Sequence, residues 1–368
     1  MCKGLYIHIP FCIKKCKYCD FISFCDKDEY FDLYIDSLKK EAHHYKGEKI
    51  DTVFVGGGTP TVLKTHQLER LFGVIYDTFE ILPDAEITIE ANPKTLSKEK
   101  LLFLKKAGVN RISIGVQSFC DKELSLIGRV HNANEAYDTV REVIKSGFDN
   151  FNLDLMLNLP QQRKESLLDT LKTAVSLNPA HISCYSLILE EGTPLFDEYK
   201  SGEFTEPDDD YDRELYHIAV DFLKEHGYFR YEISNFSKKG RECRHNIKYW
   251  SCKDYIGLGV SAHSYVDGVR YRNTKDLKKY LSGEFHADDR VALSRDDKMA
   301  EYMIMKLRMD NGVSEEEFYS LFGKKITDIY KTSIDKFISG GFMEYKNGCY
   351  SLTDKGIDVS NSVLCEFV

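Results

Sequence analysis

No run of about 18 consecutive apolar residues occurs in the 368-residue chain, so a membrane-spanning helix is not expected and any membrane contact would be peripheral. An excess of positive charge is also missing. There are 50 Lys and Arg against 59 Asp and Glu, a net charge of −9. A nucleic-acid surface normally needs a basic patch, so that class of partner is not expected. The opening Met1-Cys2-Lys3-Gly4 has neither a charged n-region nor a long apolar h-region, and no secretory signal peptide is expected. Paired cysteine spacing is scarce as well. Of eleven cysteines, Cys2, Cys25, Cys120, Cys184, Cys243, Cys252, Cys349 and Cys365 stand in no pattern. They read as reduced, mostly buried thiols, and the expected compartment is a reducing cytoplasm.

The remaining three do form a pattern. Cys12, Cys16 and Cys19 make a C-x3-C-x2-C loop directly after the apolar run Leu5-Tyr6-Ile7-His8-Ile9-Pro10-Phe11. Three thiolates are one short of a four-iron cluster, whose irons are each normally held by cysteine. The fourth iron would then be open to a small molecule. A zinc knuckle is the alternative, but structural zinc usually shows a second ligand pair, and none is visible.

The length suffices for one large core and a second, smaller unit. Over the first 240 residues a helix end recurs. Gly108 leads into Ile112–Val116, Gly147 into Phe151–Leu155, and Gly227 into Tyr231–Ile233, each after a basic last turn. Each glycine suits a left-handed helix C-cap. Asn178 takes that place before Ile182-Ser183-Cys184-Tyr185. With earlier strands at Leu5–Ile9, Thr52–Val55 and Glu86–Glu90, six strands alternate with helices. That predicts an α/β parallel sheet, either a partial barrel or an open doubly wound sheet. In both, the loops after the strands carry the chemistry.

Placed on this scheme, the motifs converge. The cysteine loop follows strand one and Gly56-Gly57-Gly58-Thr59-Pro60 follows strand two. Glu90, in Ile89-Glu90-Ala91-Asn92-Pro93, closes strand three. Gln117, in Gly115-Val116-Gln117-Ser118-Phe119, closes strand four. Asp154 lies in strand five and Ser186 to Ile188 end strand six. Glycines after a buried strand let backbone approach a ligand closely. Thr59, Glu90, Gln117, Arg129 and Asp154 form a polar rim suited to a zwitterionic amino acid and a ribose. Singly, each also reads as a solvated loop residue or a cap.

The cysteine loop, the Gly-Gly-Gly-Thr-Pro loop, and the Ile89–Pro93 and Gly115–Phe119 stretches resemble the radical S-adenosylmethionine superfamily. More narrowly, they resemble its oxygen-independent coproporphyrinogen III oxidase-like branch, over essentially the whole chain. The resemblance implies a partial (β/α)6 TIM-like barrel with a [4Fe–4S] cluster on Cys12, Cys16 and Cys19. It implies an S-adenosylmethionine site lined by Tyr6, Gly57, Gly58, Thr59, Glu90, Gln117, Arg129, Asp154 and Ile188, with Tyr18 meeting the adenine. Asn158-Leu159-Pro160 departs from the usual Gly-Leu-Pro, though Asn tolerates similar dihedrals. The coproporphyrinogen dehydrogenases resembled here carry a fourth cysteine two positions past the third, where this chain has Phe21. They also have an N-terminal extension, whereas Cys12 comes early here. His245-Asn246-Ile247-Lys248-Tyr249-Trp250 matches the H-N-x-x-Y-W motif of the HemW-type haem chaperone branch.

His245 also has a local reading. Imidazole is a standard axial ligand for haem iron, and Tyr249 and the sole tryptophan, Trp250, supply flat apolar area. The competing reading is a core-satisfied histidine beside a packed tryptophan, which local sequence alone favours; the resemblance favours haem. Of the other histidines, His8 is expected to face the barrel interior, His131 to shape the loop after Arg129, His263 to be a second-choice porphyrin contact, and His43-His44 to be solvated.

The expected divisions are 1–236 for the barrel, 237–290 for a connecting segment with the His245 motif, and 291–368 for a C-terminal unit. In the last, Asp296–Met309, a helix opened by Ser314 to Glu317, Ile326–Ser339 and a hairpin across Lys346-Asn347-Gly348 read as winged-helix-like. Acidic residues dominate much of it, so it reads as a lid or docking unit, with methionine a soft contact for haem. Two functions remain open. One is a haem-binding trafficking protein with an unidentified acceptor and an electron donor for the cluster. The other is a radical enzyme oxidising a porphyrinogen propionate; a haem-degrading or methylating relative is a weaker third.

Anaerobic reconstitution should yield about four irons and four sulfides per chain, and replacing Cys12, Cys16 or Cys19 with Ala should abolish them. Zinc without sulfide would refute the cluster assignment.

Overall fold

The computed structural model describes residues 2–205, 209–287 and 289–368. Six strands run parallel and pair in chain order: β1 (Lys3–Ile9), β2 (Lys49–Gly57), β3 (Glu80–Ala91), β4 (Arg111–Gln117), β5 (Phe151–Leu157) and β6 (His181–Ser186). Helices α1 (Phe31–Ala42), α2 (Thr65–Thr78), α3 (Lys98–Lys106), α4 (Asp121–Leu126), α5 (Ala133–Lys145) and α6 (Lys164–Ser176) connect them. A doubly wound sheet reverses strand order at a switch point. The unreversed order is that of a barrel wall, and β1 and β6 each pair outward rather than with one another, so the barrel is partial. The repeated helix ends are as expected: Gly108, Gly147, Gly227 and Asn178 all have positive φ.

Strand alternation explains which face is which. On one face, Ile87 and Ile89 of β3, Ile112, Ile114 and Val116 of β4 and Leu153 and Leu155 of β5 are buried in the hydrophobic core. The opposite positions are polar yet mostly enclosed. They include Thr52, Glu86, Thr88, Arg111, Ser113 and Asn152, all at most 6 % exposed. The barrel therefore has a polar lumen, on which Tyr6, Glu90, Gln117 and Asp154 also fall.

After α7 (Pro194–Lys200) and α8 (Asp209–Glu225), the β7 (Phe229–Glu232) and β8 (Asn235–Ser237) hairpin pairs antiparallel to β6. Residues 237–290, expected as a connection, are more than that. They carry α9 (Arg244–Trp250), β9 (Tyr255–Leu258), β10 (His263–Val266), β11 (Val269–Arg272) and α10 (Leu277–Ser282). β9 pairs parallel to β1, and β10, β11 and β12 (Val291–Ala292) extend the sheet to twelve strands among the described residues. The C-terminal unit holds α11 (Arg295–Lys306), β13 (Val313–Ser314), α12 (Glu315–Phe322), α13 (Ile326–Ser339), the β14 (Met343–Lys346) and β15 (Cys349–Leu352) hairpin, α14 (Asp354–Asp358) and α15 (Ser360–Leu364). Asn347 and Gly348 both have positive φ, as a type I′ hairpin turn needs. The unit is tied to β7 by Arg230, which pairs with Asp310 at 2.9 Å and Asp354 at 3.0 Å.

One buried carboxylate fastens the added strands to the barrel. Glu41 of α1 accepts from the Gly259 N–H (2.9 Å), the Asn273 amide (2.6 Å) and the Tyr280 hydroxyl (2.5 Å). Burial pushes its pKa up to about 7. Glu41→Ala strands three buried donors, each worth about 1–3 kcal/mol when unsatisfied. It should destabilise the fold by roughly 3 kcal/mol or more in denaturant unfolding, while Lys40→Ala, on the exposed side of the same helix, should leave the midpoint in place.

Candidate active site at the strand ends and a buried histidine motif

The cysteine loop crosses the C-terminal end of the barrel, held by backbone bonds at several points. Cys12 N–H donates to Phe24 O (3.1 Å), Phe24 N–H to Pro10 O (2.7 Å), Lys17 N–H to Ile127 O (3.1 Å) and Leu195 N–H to Lys17 O (2.9 Å). His8, buried as expected, anchors it further, with Nε2 2.9 Å from Ile22 O and Nδ1 2.9 Å from the Tyr6 hydroxyl. Tyr18 packs with Tyr185 and Leu189 over Ile127, Met156, Leu159, Leu187 and Leu195.

The glycine loop lies directly against it. Gly58 N–H donates to Ile9 O and Thr59 N–H to Phe11 O. A Cβ on Gly58 would sit 2.7 Å from Phe11 O and 3.0 Å from Cys12 Sγ. One on Gly57, whose φ is +109°, would meet His8 Nδ1 at 2.5 Å. A side chain at Gly58 would push the cysteine loop away, and one at Gly57 would drive into the His8 ring.

Thr59 Oγ1 lies 3.6 Å from Cys12 Sγ and accepts from the Asn92 amide at 2.7 Å. Arg129 donates to Cys16 Sγ at 3.4 Å, to Asn92 Oδ1 and to Gly115 O. Its Nε is buried without a partner. Glu90 accepts from Gly57 N–H at 3.0 Å; burial first, then the Asp154 charge, pushes it up to about 8. Asp154 accepts from the Asn152 amide at 2.7 Å and the Ser113 hydroxyl at 3.3 Å, and burial raises its pKa too. Gln117, at φ +68°, accepts from Tyr185 at 3.3 Å. Ile188 is 68 % exposed at the rim. Asn158 has the positive φ that its Gly-Leu-Pro counterpart would allow.

The structure thus brings Tyr6, Gly57, Gly58, Thr59, Glu90, Gln117, Arg129 and Asp154 to the cysteine-loop end, with Tyr18 in the loop itself. Asn92 was missed as a site residue, although it lies inside a quoted motif. Its amide both donates and accepts, which lets it bridge Thr59 and Arg129, but partners so distant in sequence left no local signal. Among the described residues no group of three or more His, Cys, Asp or Glu side chains is preassembled at metal-ligand spacing. Burial raises Cys12, and Cys19 to about 11, so loading metal must expel thiol protons. The donor set still suits a three-thiolate cluster, and the orphaned Arg129 Nε beside it suits a carboxylate.

His245 sits elsewhere. α9 packs at the N-terminal ends of β1 to β3. Glu86 accepts from the backbone N–H of Arg244 (3.1 Å) and His245 (3.0 Å). His245 is fully buried, with Nδ1 2.9 Å from Thr52 Oγ1 and Nε2 2.8 Å from the Tyr249 hydroxyl. Thr52 and Gly57 are five residues apart on β2, roughly 17 Å at strand rise. Both ring nitrogens are taken, and the ring lies at the end of the barrel opposite the cysteines. In this docked arrangement neither ring nitrogen is free for the haem iron expected there, and the ring is satisfied within the core. Trp250 stacks under the Arg308 guanidinium, 4.9 Å from the ring. His131, bonded to Val116 O at 3.2 Å, shapes its loop, and His43 and His44 are exposed. His263 is exposed on β10.

Burial, then the Lys248 and Arg111 charges, lowers the His245 pKa to about 3. A depressed histidine contributes stability above the unfolded value near 6.5, lost progressively as pH falls towards the folded value. Nuclear magnetic resonance of the native protein should therefore find His245 neutral at pH 5. A ring titrating near 6.5 would show that α9 is undocked in solution.

Comparison with known proteins agrees with this geometry. Residues 6–174 match the radical SAM superfamily model and residues 293–359 the HemN C-terminal domain. "Heme chaperone HemW" of Lactococcus lactis is 36 % identical over 366 residues, covering 99 % of this chain and 96 % of the relative. Its Bacillus subtilis counterpart is 36 % identical over 375 residues (100 % and 99 % covered), and that of Escherichia coli 35 % over 371 (98 % and 97 %). The solved Escherichia coli coproporphyrinogen III oxidase HemN, described as a radical SAM enzyme, superposes with a TM-score of 0.88 at 25 % identity, covering 100 % of this chain and 90 % of that one. At this identity over the full length of such relatives, the chain belongs to the HemW family of the radical S-adenosylmethionine superfamily.

Proposed function

We propose that this protein binds haem and passes it to an acceptor protein, with a [4Fe–4S] cluster on Cys12, Cys16 and Cys19 and S-adenosylmethionine at the rim. The observation that carries the reading is full-length identity of 35–36 % to named haem chaperones, against 25 % to the oxidase. Phe21, 63 % exposed in the cysteine loop, agrees, because it stands where the dehydrogenases resembled have cysteine. The acceptor and an electron donor for the cluster are the partners this reading requires.

When bound, the cluster would supply an electron and an open iron. The protein's own residues would hold the small molecule. The unpartnered Arg129 Nε is placed for its carboxylate. Glu90 and Asp154 offer oxygens in the lumen for ammonium or ribose groups, and the Gly57-Gly58-Thr59 backbone allows close approach. Tyr6, Gln117 and Ile188 would complete the wall, and Tyr18 would meet the adenine. His245, bonded to Thr52 and Tyr249, docks α9 at the other end of the barrel, and a haem iron there would have to displace one of those bonds. The intact rim and the 0.88 superposition support a second reading, a coproporphyrinogen III dehydrogenase.

One experiment separates them. Anaerobically reconstituted, haem-loaded protein is mixed with a haem-free b-type acceptor. Haem transfer should accelerate with acceptor concentration, as contact-dependent handover does and spontaneous release does not. Coproporphyrinogen III with S-adenosylmethionine should give no decarboxylated product. Efficient conversion, with acceptor-independent haem loss, would replace the chaperone reading with the enzyme.

A further inference from the structure

We propose that Asn92 is a positioning residue that sets the reduction potential of the cluster by aiming two hydrogen-bond donors at its ligand thiolates. The orientation of the Asn92 amide is fixed by chemistry. Arg129 has only donors, and its guanidinium meets Asn92 Oδ1. The Nδ2 group therefore faces Thr59, 2.7 Å from Oγ1. With that oxygen accepting from Asn92, the Thr59 hydroxyl proton is free to point elsewhere. Cys12 Sγ is 3.6 Å away. As a cluster ligand Cys12 is a thiolate with no proton of its own, so Thr59 must donate. Arg129 Nη1 donates likewise to Cys16 Sγ at 3.4 Å. One amide thus orients a hydroxyl on one ligand and a guanidinium on another.

Asn92 is itself preorganised. Its backbone N–H donates to Thr95 Oγ1 (3.3 Å), its carbonyl accepts from Thr95 Oγ1 (2.6 Å), and Lys100 Nζ bridges Thr61 O and Thr95 O. Gly115 makes room for it, since a Cβ there would lie 2.6 Å from Asn92 Oδ1. Hydrogen bonds to the ligand sulfurs stabilise the extra electron of the reduced cluster and raise its potential. Removing the donors should lower it.

The inference rests on the cluster reading and not on haem transfer. Redox titration of anaerobically reconstituted full-length protein, without S-adenosylmethionine and followed by electron paramagnetic resonance, tests it. Asn92→Ala and Thr59→Val should keep full iron and sulfide but titrate at a more negative midpoint. Thr59→Ser, which retains the hydroxyl, should match the unmodified protein. The double variant Asn92→Ala/Thr59→Val should shift by less than the sum, because one donor is shared. An unchanged midpoint in Asn92→Ala with full iron would overturn the proposal. If Asn92→Ala cannot hold the cluster, equal midpoints for Thr59→Val and Thr59→Ser would overturn it instead. Absence of sulfide in the unmodified protein would refute the cluster reading itself.

Discussion

The parallel pairing of β1 with β2, Ile9 opposite Gly57, is the constraint on which the site depends. Parallel strands end on the same side, so the segments following both strands emerge together. One is a thiol-bearing loop and the other has no side chains where they meet. Gly58 N–H and Thr59 N–H close onto Ile9 O and Phe11 O, welding the loops edge to edge. Contact this close is feasible only without a Cβ at position 58, while the absence of one at position 57 leaves room for the His8 ring. Everything else at the rim is arranged around that weld: Thr59 reaches Cys12, Asn92 reaches Thr59, and Arg129 spans Asn92 and Cys16.

The lumen has a different character from the wall behind it. A core strand pays little to bury isoleucine, but Glu86, Arg111, Asp154 and Glu90 are charged or polar groups taken from water. Asp154 is partly compensated by Asn152 and Ser113, and Glu86 by the backbone of α9. Glu90 is not, beyond one N–H from Gly57, which is why its proton is held so tightly. Poorly compensated buried groups cost stability, and strain of that kind clusters where a ligand completes the compensation.

How much of this was legible beforehand follows from physics of range. Helix ends, strand order and the shared rim are local or topological, and the glycine caps, Asn178 and the strand–helix repeat announced them. The bridge between Thr59 and Arg129 was not legible, because Asn92 acts on side chains 33 and 37 residues away. The strands of residues 237–290 were hidden too. β9, β10 and β11 have four residues each, too short for a period-two signal, and they exist as strands because β1 offers an edge.

The fate of His245 turns on the same distinction. Its motif is local and was read from sequence, but whether an imidazole is a ligand or a strut depends on what occupies its two nitrogens. Thr52 and Tyr249 occupy both, and Glu86 holds the helix that carries it. To reach a haem iron the ring would have to surrender two buried hydrogen bonds and leave Phe54, whose ring lies 5.3 Å away. Two such bonds are worth about 1–3 kcal/mol in sum, and the buried Thr52 and Tyr249 groups left behind would add their own cost. The docked ring thus separates α9 from the cluster end by the length of a strand. The histidine motif and the cysteine loop are therefore features of opposite ends of one barrel, the first a strut and the second the floor of the rim.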